Sequence, residues 1–327
     1  MNGVLIIDKP AGLTSHDVVN RARRILQQRS IGHLGTLDPM ATGVLPLVTG
    51  TLTRLAQFYT SAEKTYEGTI RFGYATDTYD AEGEPTSVPK EVTVSREEVE
   101  VLAARFRGVI EQIPPPFSAK KIHGVPAYKL ARKQKDVVLK PVRVEVREFE
   151  ILAVEAASVR FRARVASGTY MRSVAHDMGQ LLGCGAHLES LRRTAVAEFK
   201  IEDAHTLEEL ANLCHPDRSF AFPLGKGSGV EGPCVTAASG ENTSNLEDLF
   251  VHPRTLLPQF PSVTADEATA ARILSGRPVN LPELSRARQV KVFRGQTDLL
   301  AIATRVAGTL FHPKIVLCAT DTPVRPL

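Results

Sequence analysis

The sequence has no apolar run that approaches the roughly 18 residues of a membrane-spanning helix, so we expect no membrane association. Residues 1–9 lack a basic segment ahead of their short apolar run, which is typical of a first strand rather than of a signal peptide. The four cysteines form no CxxC pair, which disfavours a disulfide framework and a zinc ribbon. Because scattered free cysteines suit a reducing compartment, we expect a cytoplasmic protein.

The net charge of +4 says little about partners, but the basic residues are unevenly distributed. Between positions 118 and 143 a single acid, Asp136, stands against Lys120, Lys121, Lys129, Arg132, Lys133, Lys135, Lys140 and Arg143. Such a segment can follow a phosphate backbone and gain affinity from counterion release, which predicts a nucleic-acid contact. The alternative is a surface loop kept soluble by its lysines.

Helical and strand-like periodicities are intermixed without a regular βαβ alternation or an internal repeat, which predicts an α+β fold. Thr14 and Asp17 have the spacing of a capping box, and apolar residues at helical spacing follow, so we expect a helix over about 14–29. Residues 66–72 alternate between apolar and polar side chains, which predicts a half-buried strand.

Later segments give weaker but definite signals. Ser95 and Glu98 predict a helix start, and so do Thr264 and Glu267. After a turn at 167–170, a helix is expected whose core stripe is Met171, Val174, Met178 and Leu181. The stretch from about 225 to 246 is rich in glycine and serine, which is typical of a linker or surface excursion.

Residues 32–46 contain the densest group of turn formers, namely Gly32, Gly35, Pro39 and Gly43. This spacing predicts a loop rather than a helix or a central strand. Asp38 is its only carboxylate, which suits a nucleophile or base that works without a metal. The alternative is that Asp38 merely forms an Asx-turn with Pro39.

Six segments, in this order, resemble the TruB family of tRNA pseudouridine synthases over about residues 1–225. They are Leu5-x-x-Asp8-Lys9-Pro10-x-Gly12-x-Thr14-Ser15, Gly32-His33-x-Gly35-Thr36-Leu37-Asp38-Pro39-x-Ala41-x-Gly43-Val44-Leu45, Lys64-Thr65-Tyr66, Gln112-Ile113-Pro114-Pro115-x-Phe117-Ser118-Ala119-x-Lys121-x-x-Gly124, Gly168-Thr169-Tyr170-x-Arg172 and Leu191-Arg192-Arg193-Thr194. The sequence departs from the family at Phe117, where tyrosine is frequent, and at Ala197, where glycine is usual.

The resemblance implies a pseudouridine synthase fold with a mixed, mainly antiparallel central sheet flanked by helices. It further implies a small, mostly-β, PUA-like C-terminal domain. We therefore expect a catalytic domain at 1–225 with an RNA-gripping thumb at about 114–141, a linker or surface excursion at 226–249, and an RNA-binding domain at 250–327.

The reaction implied is the isomerisation of uridine 55 in the T loop of tRNA. The N1–C1′ bond breaks, the base turns, and C5 joins C1′. No redox change takes place, so no cofactor and no metal are expected. By resemblance, Asp38 is the carboxylate that assists bond breakage, either by adding to the sugar or by removing a sugar proton. A charge in a closed pocket needs a partner, and the resemblance assigns Arg172 to that role.

A stacked uridine must be extruded and held against an aromatic face, and the resemblance gives this role to Tyr66. Tyr66 could equally pack in the core, and His33, which the resemblance places in the opened T loop, could be a core histidine. Lys9 and Pro10 are expected to brace the loop and Leu191 to pack beside the base. Lys121 and Arg132 of the thumb are expected to hold RNA.

The partner implied is tRNA, bound at its T arm and acceptor stem, by a monomer without an obligate protein partner. One alternative is a T-arm-binding RNA chaperone without catalysis, which would not need Asp38, Arg172 and Tyr66 together. Another is a synthase that acts on a different RNA. A metal-dependent nuclease or phosphotransferase is disfavoured, because the sequence offers no second carboxylate near Asp38.

Overall fold

The computed structural model describes residues 1–118, 121–122, 125–126, 139–214 and 246–317. Much of the predicted thumb, nearly all of the predicted linker and residues 318–327 therefore lie outside the described residues. Within the described part, no helix is both long and apolar enough to cross a membrane.

The strands are β1 (Gly3–Lys9), β2 (Ile31–His33), β3 (Thr42–Thr49), β4 (Lys64–Phe72), β5 (Gly108–Gln112), β6 (Lys121–Ile122), β7 (Val125–Pro126), β8 (Val142–Glu155), β9 (Ser158–Val165), β10 (Ala186–Val196), β11 (Phe199–Lys200), β12 (Ser262–Thr264), β13 (Val279–Asn280), β14 (Gln289–Arg294), β15 (Asp298–Ala307) and β16 (Leu310–Val316). The helices are α1 (Ser15–Ile25), α2 (Ala56–Tyr59), α3 (Arg96–Arg105), α4 (Met171–Leu182), α5 (Leu207–Cys214) and α6 (Glu267–Leu274).

A nine-stranded sheet forms the centre of the larger part of the molecule. Its main path runs β1-β3-β10-β4-β9-β8-β5, with β2 beside β3 and β11 beside β10. The β3 and β10 strands pair in parallel, at Thr42 with Arg192 and Gly43 with Arg193, while the other strand pairs along this path are antiparallel. The prediction of an α+β fold around a mixed, mainly antiparallel sheet is confirmed.

The first strand is buried on both faces, which explains its uninterrupted apolar sequence. Leu5 and Ile7 pack with the core beneath α1, α3, α4 and α5. Val4 and Ile6, on the opposite face, pack with the C-terminal part of the chain. The sheet at β1 and β3 is therefore a middle layer.

The capping boxes predicted for α1 and α3 are present. The Thr14 hydroxyl accepts from the Asp17 N–H at 3.1 Å, and the Asp17 carboxylate accepts from the Thr14 N–H at 2.9 Å. Ser95 and Glu98 make the same pair of contacts at the start of α3. The first helix is shorter than predicted, because it ends at Ile25 and Gln27 adopts a left-handed backbone with φ 49°.

Two helix details differ from the prediction. Leu181 is 46% exposed, because at about 100° per residue it falls at the margin of the stripe formed by Met171, Val174 and Met178. The helix α6 is capped by Asp266, which accepts from the Thr269 N–H at 2.7 Å, and not by Thr264. Thr264 lies in β12, where strand pairing holds its backbone.

The prediction that residues 32–46 contain no central strand is wrong. Residues 42–46 begin β3, which lies between β1 and β10. Pro46 is tolerated because its carbonyl faces Leu34, whose N–H it accepts at 2.9 Å, at the point where β2 has ended. Its missing N–H therefore falls at the end of a ladder rather than within one.

A five-stranded sheet in the order β12-β14-β15-β16-β13 forms the C-terminal part. Phe293, Leu299 and Ile302 of this sheet share one apolar cluster with Val4 and Val44 of the large sheet. The two sheets therefore pack against each other through a common core.

The turn between β10 and β11 contains Ala197 with φ +50°. This left-handed conformation is accessible to glycine without strain and is unfavourable for alanine. This backbone conformation explains why glycine is usual at this position in the family. Ala197 adopts it with some backbone strain.

Candidate active site

The loop between β2 and β3 is fixed by side chains from other parts of the chain. The Lys9 ammonium, at the end of β1, donates to the carbonyls of Pro39 at 3.1 Å and Ala41 at 2.7 Å. The hydroxyl of Ser15, at the start of α1, accepts from the Leu37 N–H at 2.8 Å and donates to the Leu37 carbonyl at 3.0 Å. These contacts set the position of the residue between Leu37 and Pro39.

Arg193 of β10 holds the same loop from below and is fully buried. Its guanidinium donates to the carbonyls of Gly35 at 3.0 Å, Thr36 at 3.1 Å and Val44 at 2.8 Å. A Cβ atom on Gly43 would lie 2.2 Å from the Arg193 carbonyl oxygen, and Gly43 has φ +99°. Glycine is required there, since any side chain would separate β3 from β10.

Asp38 closes its turn with the backbone and leaves its carboxylate for other contacts. The Ala41 N–H donates to the Asp38 carbonyl at 3.1 Å. The Asp38 carboxylate lies 2.9 Å from Nη2 of Arg172, and the side chain is 38% exposed. In the described contacts the carboxylate therefore faces an arginine and not the turn, which argues against the Asx-turn interpretation.

Arg172, at the start of α4, is held by four groups in a nearly closed setting. Its side chain is 5% exposed and lies between Asp38 and Asp80, with a distance of 3.4 Å from Nη1 to the Asp80 carboxylate. Nη1 donates to the Thr78 carbonyl at 3.1 Å and Nη2 to the Phe117 carbonyl at 3.0 Å. Because Phe117 contributes its carbonyl, this contact is the same for phenylalanine and tyrosine.

Two further carboxylates surround Asp38. Asp80 is 3% exposed and accepts from the Thr78 hydroxyl at 2.5 Å and the Glu82 N–H at 3.1 Å. Burial, together with the charges of Asp80 and Asp38, raises the pKa of Glu82. The argument that no second carboxylate lies near Asp38 is therefore wrong. In the described ranges, no three His, Cys, Asp or Glu side chains are arranged to hold a metal ion.

A cavity of about 490 Å³ opens on one side of Asp38. Tyr66 of β4 and Leu191 of β10 line it, and so do His33 at the end of β2 and Tyr170 just before α4. Tyr66 is 8% exposed and also contacts the core, so it satisfies both the stacking and the packing interpretation. Aromatic side chains and a carboxylate therefore line the same cavity.

A second cavity, of about 730 Å³, opens on the other side of Asp38. It shares His33, Asp38 and Arg172 with the first and adds the acidic Asp80 and Glu82. Asp38 and Arg172 thus line both cavities.

The remaining predicted residues are placed differently. The side chain of Lys9 lies beneath the loop, where its three acceptors include the Pro10 carbonyl at 2.8 Å. Pro10 lines a separate cavity with Asp8 and Arg192, so it does not reach Asp38 directly. The side chains of Lys121 and Arg132 lie outside the described residues.

Three residues of the site, Lys64, Arg193 and Asp80, were not predicted from the sequence. For Lys64 and Arg193 the strand pattern contained a signal. Lys64 and Tyr66 are two apart on β4, and Leu191 and Arg193 are two apart on β10, so strand alternation puts each pair on one face. Asp80 gave no comparable signal, because its segment contains only short-range turn chemistry.

Two amines of the site have pKa values below the usual range of lysine. Burial lowers the pKa of Lys9 to about 8, against the opposing charges of Asp38 and Glu82. Burial and the Arg193 guanidinium lower the pKa of Lys64 to about 8. Lys64 lines the first cavity, where its ammonium donates to the Ala62 carbonyl at 2.7 Å.

We expect the single-turnover rate of pseudouridine formation, the reaction that the resemblance implies, to fall as the pH rises through about 8. Below that pH the Lys9 ammonium donates three N–H groups to three carbonyls. The neutral amine has only two N–H groups, so the carbonyls around the loop lose one hydrogen bond. The rate is to be measured between about pH 6.5 and 9 for wild type and Lys9→Met with the same RNA. Lys64→Gln is the matched control, because Lys64 titrates in the same range. If Lys9→Met keeps the alkaline decline, Lys9 is not its source.

Comparison with solved structures defines the class of fold. The chain superposes on an H/ACA RNP bound to a substrate RNA containing 2′-deoxyuridine with TM-score 0.67 and 23% identity, over 98% of this chain and 86% of the other. An archaeal box H/ACA Nop10–Cbf5 complex gives TM-score 0.65 at 23% identity, over 98% and 87%. The chain thus has the fold that it shares with these two structures.

Sequence comparison then gives the family. A family model described as the N-terminal domain of TruB family pseudouridylate synthases matches residues 23–171, and a C-terminal domain model of tRNA pseudouridylate synthase B matches 172–219. A tRNA pseudouridine synthase B from Solibacter usitatus is 48% identical over 97% of this chain and 100% of the relative. One from an Azoarcus species is 38% identical over 98% and 96%. The chain belongs to the TruB family.

Proposed function

We propose that this protein isomerises uridine to pseudouridine in tRNA, at position 55 of the T loop. The observation that carries the proposal is the Asp38 carboxylate, held 2.9 Å from a buried Arg172 at the wall of an open cavity. The relatives named tRNA pseudouridine synthase B support tRNA as the substrate class.

Each residue of the site has a role in this reaction. Arg172 holds the Asp38 carboxylate in place through their ion pair, with 2.9 Å from Nη2 to the carboxylate. Asp38 assists cleavage of the N1–C1′ bond, either by adding to C1′ or by taking a sugar proton. The electron pair of the broken bond stays on the uracil. After the base turns, C5 bonds to C1′ as the Asp38 carboxylate leaves C1′, or as the sugar proton returns to the sugar. The C5 proton then leaves and N1 gains a proton, so the product is an isomer of uridine.

The cavity supplies the place in which the base can turn. Tyr66 presents an aromatic face and Leu191 an apolar one, so a flipped uracil can stack without fixed hydrogen bonds to every edge. Lys64 adds a positive charge at the rim of the same cavity, where the RNA backbone brings phosphates. His33 is a neutral ring at pH 7, since burial lowers its pKa, and it can stack on an RNA base.

The C-terminal part is proposed as a PUA-like RNA-binding unit that reaches the acceptor stem. Exposed arginines lie at 272, in α6, and at 277, 286 and 288, in the segments that connect its strands, and they suit a phosphate backbone. We retain the proposed division into a catalytic unit at 1–225, a linker at 226–249 and this unit at 250–327, with Lys121 and Arg132 of the thumb as RNA contacts.

The test is to incubate purified protein with unmodified tRNA and EDTA and to map pseudouridine. We expect conversion of a single uridine, in the T loop. Binding of tRNA without conversion supports the chaperone alternative, and conversion at another position or in another RNA supports a different synthase. Loss of activity in EDTA contradicts the proposed mechanism.

We expect Tyr66→Phe to bind a T-arm hairpin nearly as wild type but to turn over slowly, because it keeps the aromatic face and loses the hydroxyl. Tyr66→Ala loses both and is expected to be worse in binding and in rate, with about 1–3 kcal/mol of stacking energy removed. Single-turnover kinetics and a binding titration measure the two effects. Near-native turnover in both variants would return Tyr66 to a packing role.

A further inference from the structure

An aromatic pair lies beside the site without lining either cavity. The rings of Tyr79 and His176 are stacked, with centroids 3.8 Å apart and an interplanar angle of 15°. Both residues are partly exposed, and neither is among the residues that line the two cavities at Asp38. The reaction described above does not use them.

The stack joins the loop around Asp80 to the helix that carries Arg172. His176 follows Arg172 by four residues on α4, so the two side chains lie on one face of that helix. The residues on both sides of Tyr79 contact Arg172: the Thr78 carbonyl accepts from Nη1 at 3.1 Å, and the Asp80 carboxylate lies 3.4 Å from the same atom. Tyr79 is therefore the central residue of a three-residue segment that holds the guanidinium.

The backbone of this segment is in an unfavourable conformation. Tyr79 has φ +67°, a left-handed value that is rare for an aromatic residue. Its carbonyl accepts from the Leu188 N–H at 3.0 Å, and the Ala81 N–H donates to the Leu188 carbonyl at 3.0 Å. Such a conformation persists only where the surrounding contacts impose it, and the stack on His176 is a side-chain contact of Tyr79 that can do so.

We propose that Tyr79 and His176 are a positioning pair for the isomerisation. Their stack fixes residues 78–80 against α4 and so keeps the Arg172 guanidinium directed at Asp38. The inference rests on the proposed function, since its effect is on that reaction. Neither residue lines a cavity at Asp38, so the pair acts on the rate through Arg172.

The test compares Tyr79→Asn with Tyr79→Phe. Asparagine tolerates a left-handed backbone but has no ring, whereas phenylalanine keeps the ring and loses only the hydroxyl. We expect Tyr79→Asn to lower the single-turnover rate constant by about tenfold to a hundredfold, the scale of a small misplacement of a catalytic group. Its Kd for a T-arm hairpin is expected to stay that of wild type, and Tyr79→Phe is expected to turn over at nearly the wild-type rate.

The controls separate this effect from general packing. Tyr74 and His187 form another ring pair nearby, with centroids 4.5 Å apart and no described contact to Arg172. Tyr74→Asn is therefore expected to keep the wild-type rate. The double variant Tyr79→Asn with His176→Ala is expected to be no slower than the slower of the two single variants. The reason is that each substitution removes the same ring stack.

Three results would overturn the proposal: a wild-type rate in Tyr79→Asn, additive losses in the double variant, or a loss in Tyr79→Asn that appears only in binding.

If the wild-type protein converts no uridine, the proposed function fails, and amide exchange then tests the pair by itself. Tyr79→Asn is expected to speed exchange of the Leu188 N–H and Tyr79→Phe to leave it unchanged. Equal exchange in all three proteins would overturn the pairing.

Discussion

Asp38→Asn is expected to lower the single-turnover rate of pseudouridine formation by at least several orders of magnitude, about the scale seen when an essential catalytic group is lost. Asparagine is nearly the same size as aspartate, and the turn is closed by the backbone of Asp38 and Ala41, so the loop geometry should be retained. What is lost is the charge beside Arg172 and the ability to act as nucleophile or base.

RNA binding and folding are expected to survive the same substitution. Binding depends on the basic surface and stacking contacts, and removal of a negative charge near the RNA can only favour it. The stability change should be below about 1 kcal/mol, because the Asp38 side chain is 38% exposed and Arg172 keeps Asp80 and two carbonyls.

The measurements are single-turnover conversion of a T-arm hairpin, a binding titration and a melting curve. Tyr74→Asn serves as the matched control for a substitution outside the site. Substantial conversion by Asp38→Asn would remove Asp38 from the chemistry and with it the proposed mechanism.

Much of the fold could be predicted because its signals are local. The capping pairs at Thr14 and Ser95 mark helix starts through contacts within three residues. The alternation at Tyr66, Ile70 and Phe72 marks a strand by the same kind of short-range rule, and these three side chains are buried as predicted.

What could not be predicted depends on contacts between distant segments. Gly43 and Pro46 indicate a loop by composition, yet β3 accepts both, because one meets the Arg193 backbone and the other lies where β2 has ended. Asp80 reaches Arg172 only through the packing of its loop against β10 and α4. No spacing rule in a single sequence reports such a contact.

For the site residues, too, the sequence indicated which residues take part but not the contacts between distant segments. The family resemblance proposed Asp38, Tyr66 and Arg172, and the structure brings these three side chains to one cavity. Their roles in catalysis stay predictions. Arg193 and Ser15, which fix the loop from below and from the side, stand inside motifs of the resemblance, but the motifs do not say which backbone groups they hold.

Arg172→Met is expected to abolish measurable turnover and to lower the free energy of unfolding by about 3–5 kcal/mol, as for other buried pairs that lose one partner. Methionine fills a similar volume without the charge, so Asp80 stays buried, and among the described residues its carboxylate keeps only the Thr78 hydroxyl and the Glu82 N–H as partners. The carbonyls of Thr78 and Phe117 lose their donors as well. Denaturant unfolding and single-turnover kinetics measure the two losses.

The double variant Arg172→Met with Asp80→Asn separates stability from catalysis. Neutralising Asp80 removes the unpaired buried charge, so a large part of the lost stability should return. Turnover should not return, because Asp38 still lacks the guanidinium that holds its carboxylate in place. Asp80→Asn alone is the matched control: it leaves the contact between Arg172 and Asp38 in place and should retain more activity than either variant without Arg172. Recovery of turnover in the double variant would show that Arg172 acts only by neutralising Asp80, and the ion pair with Asp38 would then have no part in the reaction.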